Sequence, residues 1–144
     1  MNILVINGPN LNLLGMREPE IYGKLTYKEL CEIIEKEGKE AGVGMKIFQS
    51  NIEGEIINEI HNAAEKYNAI IINPGAYTHY SIAIFDAILA VGIPTVEVHI
   101  SNIHKREEFR HKSITAPACI GQITGLGVFG YIAAMKFFTE GYTN

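Results

Sequence analysis

Continuous runs of β-branched and other apolar residues alternate along the chain with segments in which apolar residues recur every three or four positions. The continuous runs are typical of strands buried on both faces, and the longer period is typical of helices with one buried face. We therefore predict five strands, at residues 3–7, 45–50, 69–73, 95–100 and 118–123. The intervening segments predict four helices, at about 26–42, 53–67, 81–91 and 126–138.

Strands that alternate with helices form a parallel sheet with helices on both faces, because each crossover connection is right-handed. The predicted fold is α/β: a flavodoxin-like three-layer sandwich with a five-stranded parallel sheet of order 2-1-3-4-5, in one domain spanning residues 1–144. In such sheets the ligand binds at the carboxyl ends of the strands where the strand order reverses, which here are strands 1, 3 and 4.

A long polar loop follows strand 1, from residue 8 to about residue 24. Long ordered loops in compact domains usually carry function. Its second half, at about 15–24, is flanked by glycines and contains Arg17 and Tyr22. We predict that this half is an active-site lid, mobile when the site is empty and closed over a bound ligand to exclude water.

Composition narrows the possible functions. Hydrophobic residues make up 47% and charged residues 19% of the chain, which indicates a globular protein. The net charge of -4 argues against a nucleic-acid partner. We expect no membrane span, because no apolar run approaches the ~18 residues that a span needs. We expect no signal peptide, because MNILVINGPN lacks a basic region followed by a longer apolar stretch, and hence we expect a cytoplasmic protein. Cys31 and Cys119 lack CxxC spacing and predict neither a disulfide nor a zinc site.

Polar and cationic side chains follow strands 1, 3 and 4, whose carboxyl ends meet in the predicted crevice. They are Asn10, Asn12, Arg17, Tyr22, Asn73, His79, His99, Ser101, Arg106 and Arg110. Cationic and amide groups outnumber carboxylates among them, which suits an anionic, hydroxyl-rich ligand. All except Tyr22 and Arg106 also have a structural alternative: asparagines are common in turns, serines cap helices, histidines bond within cores, and arginines such as Arg17 and Arg110 are solvated at surfaces.

Three stretches carry a family resemblance. They are GPNLNLLGMREPEIYG at 8–23, NPGAYTHYSIAIFDA at 73–87 and EVHISNIHKREEFRHKS at 97–113. In order and spacing, along essentially the whole chain, they resemble the type II 3-dehydroquinate dehydratases. The resemblance implies a hydro-lyase of the shikimate pathway of aromatic amino acid biosynthesis. Its expected reaction is the anti elimination of water from 3-dehydroquinate through an enolate, giving 3-dehydroshikimate, without metal, cofactor or Schiff base.

The resemblance also implies a role for individual residues. Tyr22 matches the general base, His99 the general acid, Arg17 the transition-state stabiliser, and Asn10 the residue that holds a water or the enolate oxygen. The residues that match substrate ligands are Asn73, His79, Asp86, Ile100, Ser101 and Arg110. Within the last group, Asp86 matches an aspartate that reaches the site of a neighbouring subunit, in a homododecamer built from four trimers. Arg106 is adjacent to this set, and its role is left open.

The residue types suit the implied chemistry. A free tyrosine has a pKa near ~10 and is roughly 0.1% ionised at neutral pH, so a tyrosine base needs a nearby permanent cation. Arg17, five residues before Tyr22 on the same loop, is positioned to supply it. A histidine can deliver a proton at neutral pH. Glu97 lies on the same strand face as His99, two residues away, and we hypothesise that it orients the imidazole.

Two other functions on the same fold are disfavoured. A flavin-binding module needs a Ser/Thr-rich phosphate loop after strand 1, and GPNLNLLG has none. A signalling receiver needs acidic residues after strand 1 and an aspartate at the end of strand 3, where Asn7 and Asn73 stand instead. A GxGxxG match at 125–130 lacks the acidic residue that a dinucleotide site needs about 20 positions later.

Overall fold

A five-stranded parallel sheet organises the computed structural model, which describes residues 1–16 and 18–143. The strands are β1 Asn2–Asn7, β2 Gly44–Gln49, β3 Ala69–Asn73, β4 Thr95–His99 and β5 Gly121–Thr124. Their order is β2-β1-β3-β4-β5, with every neighbouring pair parallel. The predicted topology is therefore confirmed.

Helices cover both faces of the sheet. They are α1 Pro19–Tyr22, α2 Tyr27–Glu40, α3 Glu53–Asn62, α4 Ile82–Val91 and α5 Phe129–Lys136. Helix α2 begins at a capping box, because the Thr26 hydroxyl accepts the Glu29 N–H while the Glu29 carboxylate accepts the Thr26 N–H. Within the described residues, no helix is long and apolar enough to cross a membrane.

Alternate residues of each central strand pack into two separate cores. In β1, Ile3 and Val5 pack with residues of α2 and α5, whereas Leu4 and Ile6 pack with residues of α3 and α4. Successive strand side chains point to opposite faces, so a strand covered on both faces needs apolar residues at every position. This is the physical reason for the continuous apolar runs, and it confirms the three-layer sandwich.

The element boundaries differ from the predicted ones where turns intervene. The predicted strand at 118–123 begins only at residue 121, because residues 116–118 form a 3-10 turn in which the Cys119 N–H donates to the Ala116 carbonyl. The last helix begins at Phe129, three residues later than predicted, since Gly125 and Gly127 have positive φ angles of 86° and 58° that no helix accommodates.

Candidate active site

A cavity of about 140 Å³ opens at the carboxyl ends of β1, β3 and β4, where the sequence predicts the site. Its polar lining residues are Asn10, Tyr22, Asn73, His79, His99, Ser101, Arg106 and Arg110. Ile100 also lines it, so the structure brings together nearly all of the predicted site residues. Arg17 lies outside the described residues, and the described lining does not include Asn12 or Asp86.

The loop after β1 packs tightly against the end of β3. Gly8 donates its N–H to the Asn73 carbonyl at 2.8 Å, and a Cβ at Gly8 would lie 2.5 Å from the Pro74 carbonyl oxygen. Only glycine allows this approach. Two residues further on, Asn10 has a φ of 68°, in the left-handed region that asparagine tolerates better than most residues. The loop therefore turns sharply and brings Asn10 to the cavity.

Tyr22 contacts an arginine across the cavity. Arg106 donates from Nη1 to the Tyr22 hydroxyl at 2.7 Å, and its guanidinium carbon lies 5.3 Å from the centroid of the tyrosine ring. Only 10% of the Arg106 side chain is exposed, so solvent screens this contact weakly. The predicted pairing of Tyr22 with Arg17 stays a prediction. Arg106, whose role the sequence left open, supplies a permanent cation at the Tyr22 phenol.

His99 and Glu97 form a buried pair at the end of β4. His99 Nε2 lies 3.0 Å from Glu97 Oε2, as the hypothesis of a shared strand face required. The other described donors to the Glu97 carboxylate are Thr78 Oγ1, Ser113 Oγ, Thr115 Oγ1 and Gln122 Nε2. Burial alone would raise the pKa of Glu97, but the bond from His99 and those from Thr115 and Gln122 outweigh burial and lower it.

These bonds to Glu97 determine which ring nitrogen of His99 carries a proton. An ionised carboxylate only accepts hydrogen bonds, so His99 Nε2 carries a proton and donates it to Glu97. The second ring nitrogen, Nδ1, is then the one left to exchange a proton with a ligand. The pair thus has the geometry of an orienting carboxylate and a histidine acid.

His79 and Arg110 also line the cavity. His79 Nδ1 donates to the Lys112 carbonyl at 2.8 Å, and burial lowers the pKa of His79. The neutral ring therefore presents Nε2 as an acceptor. Arg110 donates from Nε to Glu107 Oε2 at 2.8 Å, which leaves its terminal nitrogens to bind an anion.

Asn73 lines the cavity and also makes hydrogen bonds within the fold. Its Oδ1 accepts the Gly75 N–H at 3.1 Å, the turn bond of the structural alternative, and its Nδ2 donates to the Tyr131 hydroxyl at 2.9 Å. Tyr131 in turn donates to Asn7 Oδ1 at 2.7 Å. Sequence reasoning missed Tyr131 and Asn7. The sequence signal that could have identified Tyr131 is its place in a very apolar helix, because a tyrosine hydroxyl that is buried needs a hydrogen-bond partner.

The structure also gives the positions of Ser101 and Asp86. Ser101 lines the cavity and does not cap the next turn, since Asn102 Oδ1 accepts the His104 N–H at 3.0 Å and supplies that cap. Asp86 is exposed on α4, on the outer surface of the chain. Its predicted action in a neighbouring subunit stays a prediction.

Fold and cavity together define a doubly wound α/β protein whose cavity combines a cation-paired phenol, a carboxylate-paired histidine and a second arginine, Arg110. Among the residues described, no group of three or more His, Cys, Asp or Glu side chains is arranged to hold a metal ion. Such a site is built to move protons on an anionic ligand.

Comparison with known proteins gives the family. The sequence matches the family Dehydroquinase class II over residues 1–139. It is 71% identical over 137 residues to a 3-dehydroquinate dehydratase of Clostridium perfringens, covering 94% of this chain and 95% of that protein. The chain belongs to the class II dehydroquinase family. It is an enzyme, a hydro-lyase, as the sequence predicted.

Solved structures agree. A type II dehydroquinase from Butyrivibrio crossotus is 52% identical and superposes with a TM-score of 0.94, over 95% of this chain and 96% of that one. A type II dehydroquinase from Propionibacterium acnes is 44% identical, with a TM-score of 0.93 over 96% of this chain and 95% of that one. The predicted family and fold are confirmed.

Proposed function

We propose that this chain removes water from 3-dehydroquinate to give 3-dehydroshikimate, by anti elimination through an enolate. The observation that carries the mechanism is the presence, in one cavity, of a phenol held by a guanidinium and a histidine held by a carboxylate. The relatives and solved structures named above support the substrate. As the family resemblance implies, the reaction serves the shikimate pathway.

Tyr22 is the base of the first step. Its phenolate removes a proton from the carbon next to the ketone, and the electron pair of the C–H bond moves to form the enolate. Arg106, whose guanidinium contacts the phenol, stabilises the phenolate. Arg17, which is on the same loop as Tyr22, is expected to add a second positive charge beside the phenolate.

Asn10 stabilises the enolate oxygen, directly or through a water molecule. A preorganised hydrogen-bond donor at a developing oxyanion contributes about 3–4 kcal/mol to lowering the barrier. Asn10 lines the cavity and carries no charge, so it donates without competing for the proton that Tyr22 removes.

His99 is the acid of the second step. The enolate re-forms the ketone, a carbon–carbon double bond forms, and the bond to the leaving hydroxyl breaks. Protonated His99 gives its Nδ1 proton to that hydroxyl, which leaves as water. Tyr22 has gained one proton and His99 has lost one, so exchange with solvent restores both groups. Glu97 orients the ring and stabilises its cationic form through Nε2.

The remaining lining residues bind the substrate. The Ser101 hydroxyl and the amides of Ile100 and Ser101 take the carboxylate, with Arg110 nearby as a cation. Neutral His79 accepts a hydrogen bond from a substrate hydroxyl at Nε2, because its Nδ1 proton is already given to the Lys112 carbonyl. Asn73 donates its second amide proton to the substrate.

The segment at about 15–24 acts as a lid within the single catalytic domain. It contains α1, which carries Tyr22 and has no buried residue. Gly15 and Gly23 flank α1 with φ angles of 82° and 77°, at which other residues are strained. Closure of this lid completes the base and excludes water.

The active form is a homododecamer of four trimers, in which Asp86 reaches the site of a neighbouring subunit. Exposed apolar residues on the same helix support an interface there, since Ile82 is 64% and Leu89 is 56% exposed.

The function is tested by an ultraviolet assay for the conjugated enone of the product. We expect the wild type to form it and Tyr22→Phe to lose about 10²–10⁴-fold in kcat, the usual contribution of a general base. Tyr80→Phe is the matched control, because Tyr80 is exposed and lies outside the described cavity lining. An inactive wild type, or a fully active Tyr22→Phe, would contradict the proposal.

A further inference from the structure

The loop that carries Asn10 is held by a residue outside the cavity. Asn51 follows β2 by two positions, is exposed, and is not among the described lining residues. Its Oδ1 accepts the Asn10 N–H at 2.9 Å. Its backbone carbonyl accepts the Tyr77 hydroxyl at 2.7 Å. One surface residue therefore contacts both the loop after β1 and the 3-10 turn after β3 that ends at His79.

The bond to Asn10 matters because Asn10 is in a disfavoured conformation. A non-glycine residue at a φ of 68° persists only where its surroundings fix it. Here Asn51 holds the Asn10 N–H, and the Leu13 N–H donates to the Asn10 carbonyl at 3.0 Å. With both backbone groups held, the direction in which the Asn10 Cα–Cβ bond leaves the backbone is fixed at the edge of the cavity.

Gln49 fixes the orientation of the Asn51 amide. Gln49 Nε2 lies 3.1 Å from Asn51 Oδ1 and 3.2 Å from the Gly8 carbonyl. Because Asn51 Oδ1 faces two N–H donors, the position requires an acceptor and does not use the Asn51 amino group in these bonds. An aspartate therefore meets the same requirement, and a leucine of similar shape does not.

We propose that Asn51 is a positioning residue for the reaction, which holds Asn10 in the left-handed conformation that aims its side chain at the substrate. The inference rests on the role of Asn10 in the proposed function. It makes the end of β2 part of the catalytic apparatus, although β2 contributes no described residue to the cavity lining.

The experiment compares Asn51→Leu with Asn51→Asp in the enone assay. We expect Asn51→Leu to lower kcat about tenfold, less than the ~10²-fold cost of deleting an oxyanion donor, and to change KM less than about threefold. Asn51→Asp should keep kcat within about threefold of wild type, since it retains the acceptor. Wild-type kinetics in Asn51→Leu, or an equal loss of kcat in both variants, would overturn the proposal.

Asn68→Leu is the matched structural control. Asn68 Oδ1 accepts the Asn2 N–H at 2.7 Å, which is the same kind of exposed bond, at the amino end of the sheet. We expect Asn68→Leu and Asn51→Leu to lower Tm similarly, with kcat reduced only in the second. If both variants reduced kcat in proportion to the loss in Tm, Asn51 would be merely structural and the inference would be wrong.

A double variant separates this inference from the proposed function. In an Asn10→Ala background, Asn51→Leu should cause no further loss of kcat, because it acts through Asn10. A further tenfold loss there would refute the coupling, and an Asn10→Ala enzyme as active as wild type would also overturn the inference. Absence of wild-type activity on 3-dehydroquinate would instead be the failure of the proposed function.

Discussion

The two ends of the proposed proton path are built differently. Glu97 and His99 lie on β4, where every residue is buried, and Glu97 accepts bonds from side chains of several segments. Tyr22 lies on α1, a four-residue helix without a buried residue, and its described cation partner is 84 residues away in sequence. Folding of the core therefore sets the acid, whereas the position of a surface loop sets the base. Substitutions at Arg106 and Glu97 test this difference at its two ends.

The largest effect is expected at the base. Arg106→Leu removes the cation that contacts the Tyr22 hydroxyl at 2.7 Å, so the negative charge on the base loses its paired guanidinium. We expect kcat at pH 7 to fall about 10²-fold. The measurement is kcat as a function of pH.

Two further variants interpret that loss. Lys105→Leu, which removes the neighbouring cation, should leave the profile unchanged. Arg106→Lys should fall between wild type and Arg106→Leu, because lysine keeps the charge and loses the planar fork. Wild-type kcat in Arg106→Leu, or an equal loss of kcat in Lys105→Leu, would show that Arg106 does not act by stabilising the phenolate.

A smaller loss of activity is expected at the acid. Glu97→Gln keeps the shape of the side chain but removes the charge that faces the imidazolium. We expect kcat to fall about tenfold and the pH–rate profile to change, because the carboxylate that holds the imidazole at Nε2 is lost. An unchanged profile would remove Glu97 from the mechanism and leave it a structural residue.

The same pair ties stability to pH. The pKa of Glu97 is lowered in the folded state because the donors from His99, Thr115 and Gln122 outweigh the effect of burial. Its stabilising contribution is thus present above the unfolded pKa of about 4.3 and is lost as the pH falls through the lower folded value. Urea denaturation between pH 2 and 6 should show a steeper loss for wild type than for Glu97→Gln. Equal slopes would contradict the argument.

Sequence patterns predicted the fold well because the local and global requirements agree. Ile3 to Ile6 are apolar at every position, and a strand covered on both faces requires that. The predicted cavity also formed, since topology alone brings the ends of β1, β3 and β4 together. Boundaries near residues 118–128 were less predictable, because turn geometry there depends on glycine φ angles and on loop packing.

The contacts that tune the site were not predictable from the sequence. The bond from Arg106 to Tyr22 joins two loops, and no periodic pattern encodes which arginine meets the phenol. The donors to Glu97 come from segments around Thr78, Ser113 and Gln122, which meet only after the sheet has formed. Family resemblance supplied roles for residues, but partners of this kind emerge only from tertiary packing.

The smallest effect on activity is expected at Tyr131, a buried residue that contacts the cavity residue Asn73. Tyr131→Phe removes a hydroxyl that donates to Asn7 and accepts from Asn73, leaving two buried polar groups without this partner. We expect a loss of about 1–3 kcal/mol in the free energy of unfolding, measured by urea denaturation with Tyr80→Phe as the exposed control. Activity should fall only a few-fold, mainly through a higher KM, because Asn73 keeps its turn bond to the Gly75 N–H. A large loss of kcat with unchanged stability would instead mean that the buried hydroxyl acts on the chemical step. Tyr131 would then join Tyr22 and His99 among the residues that carry out the reaction.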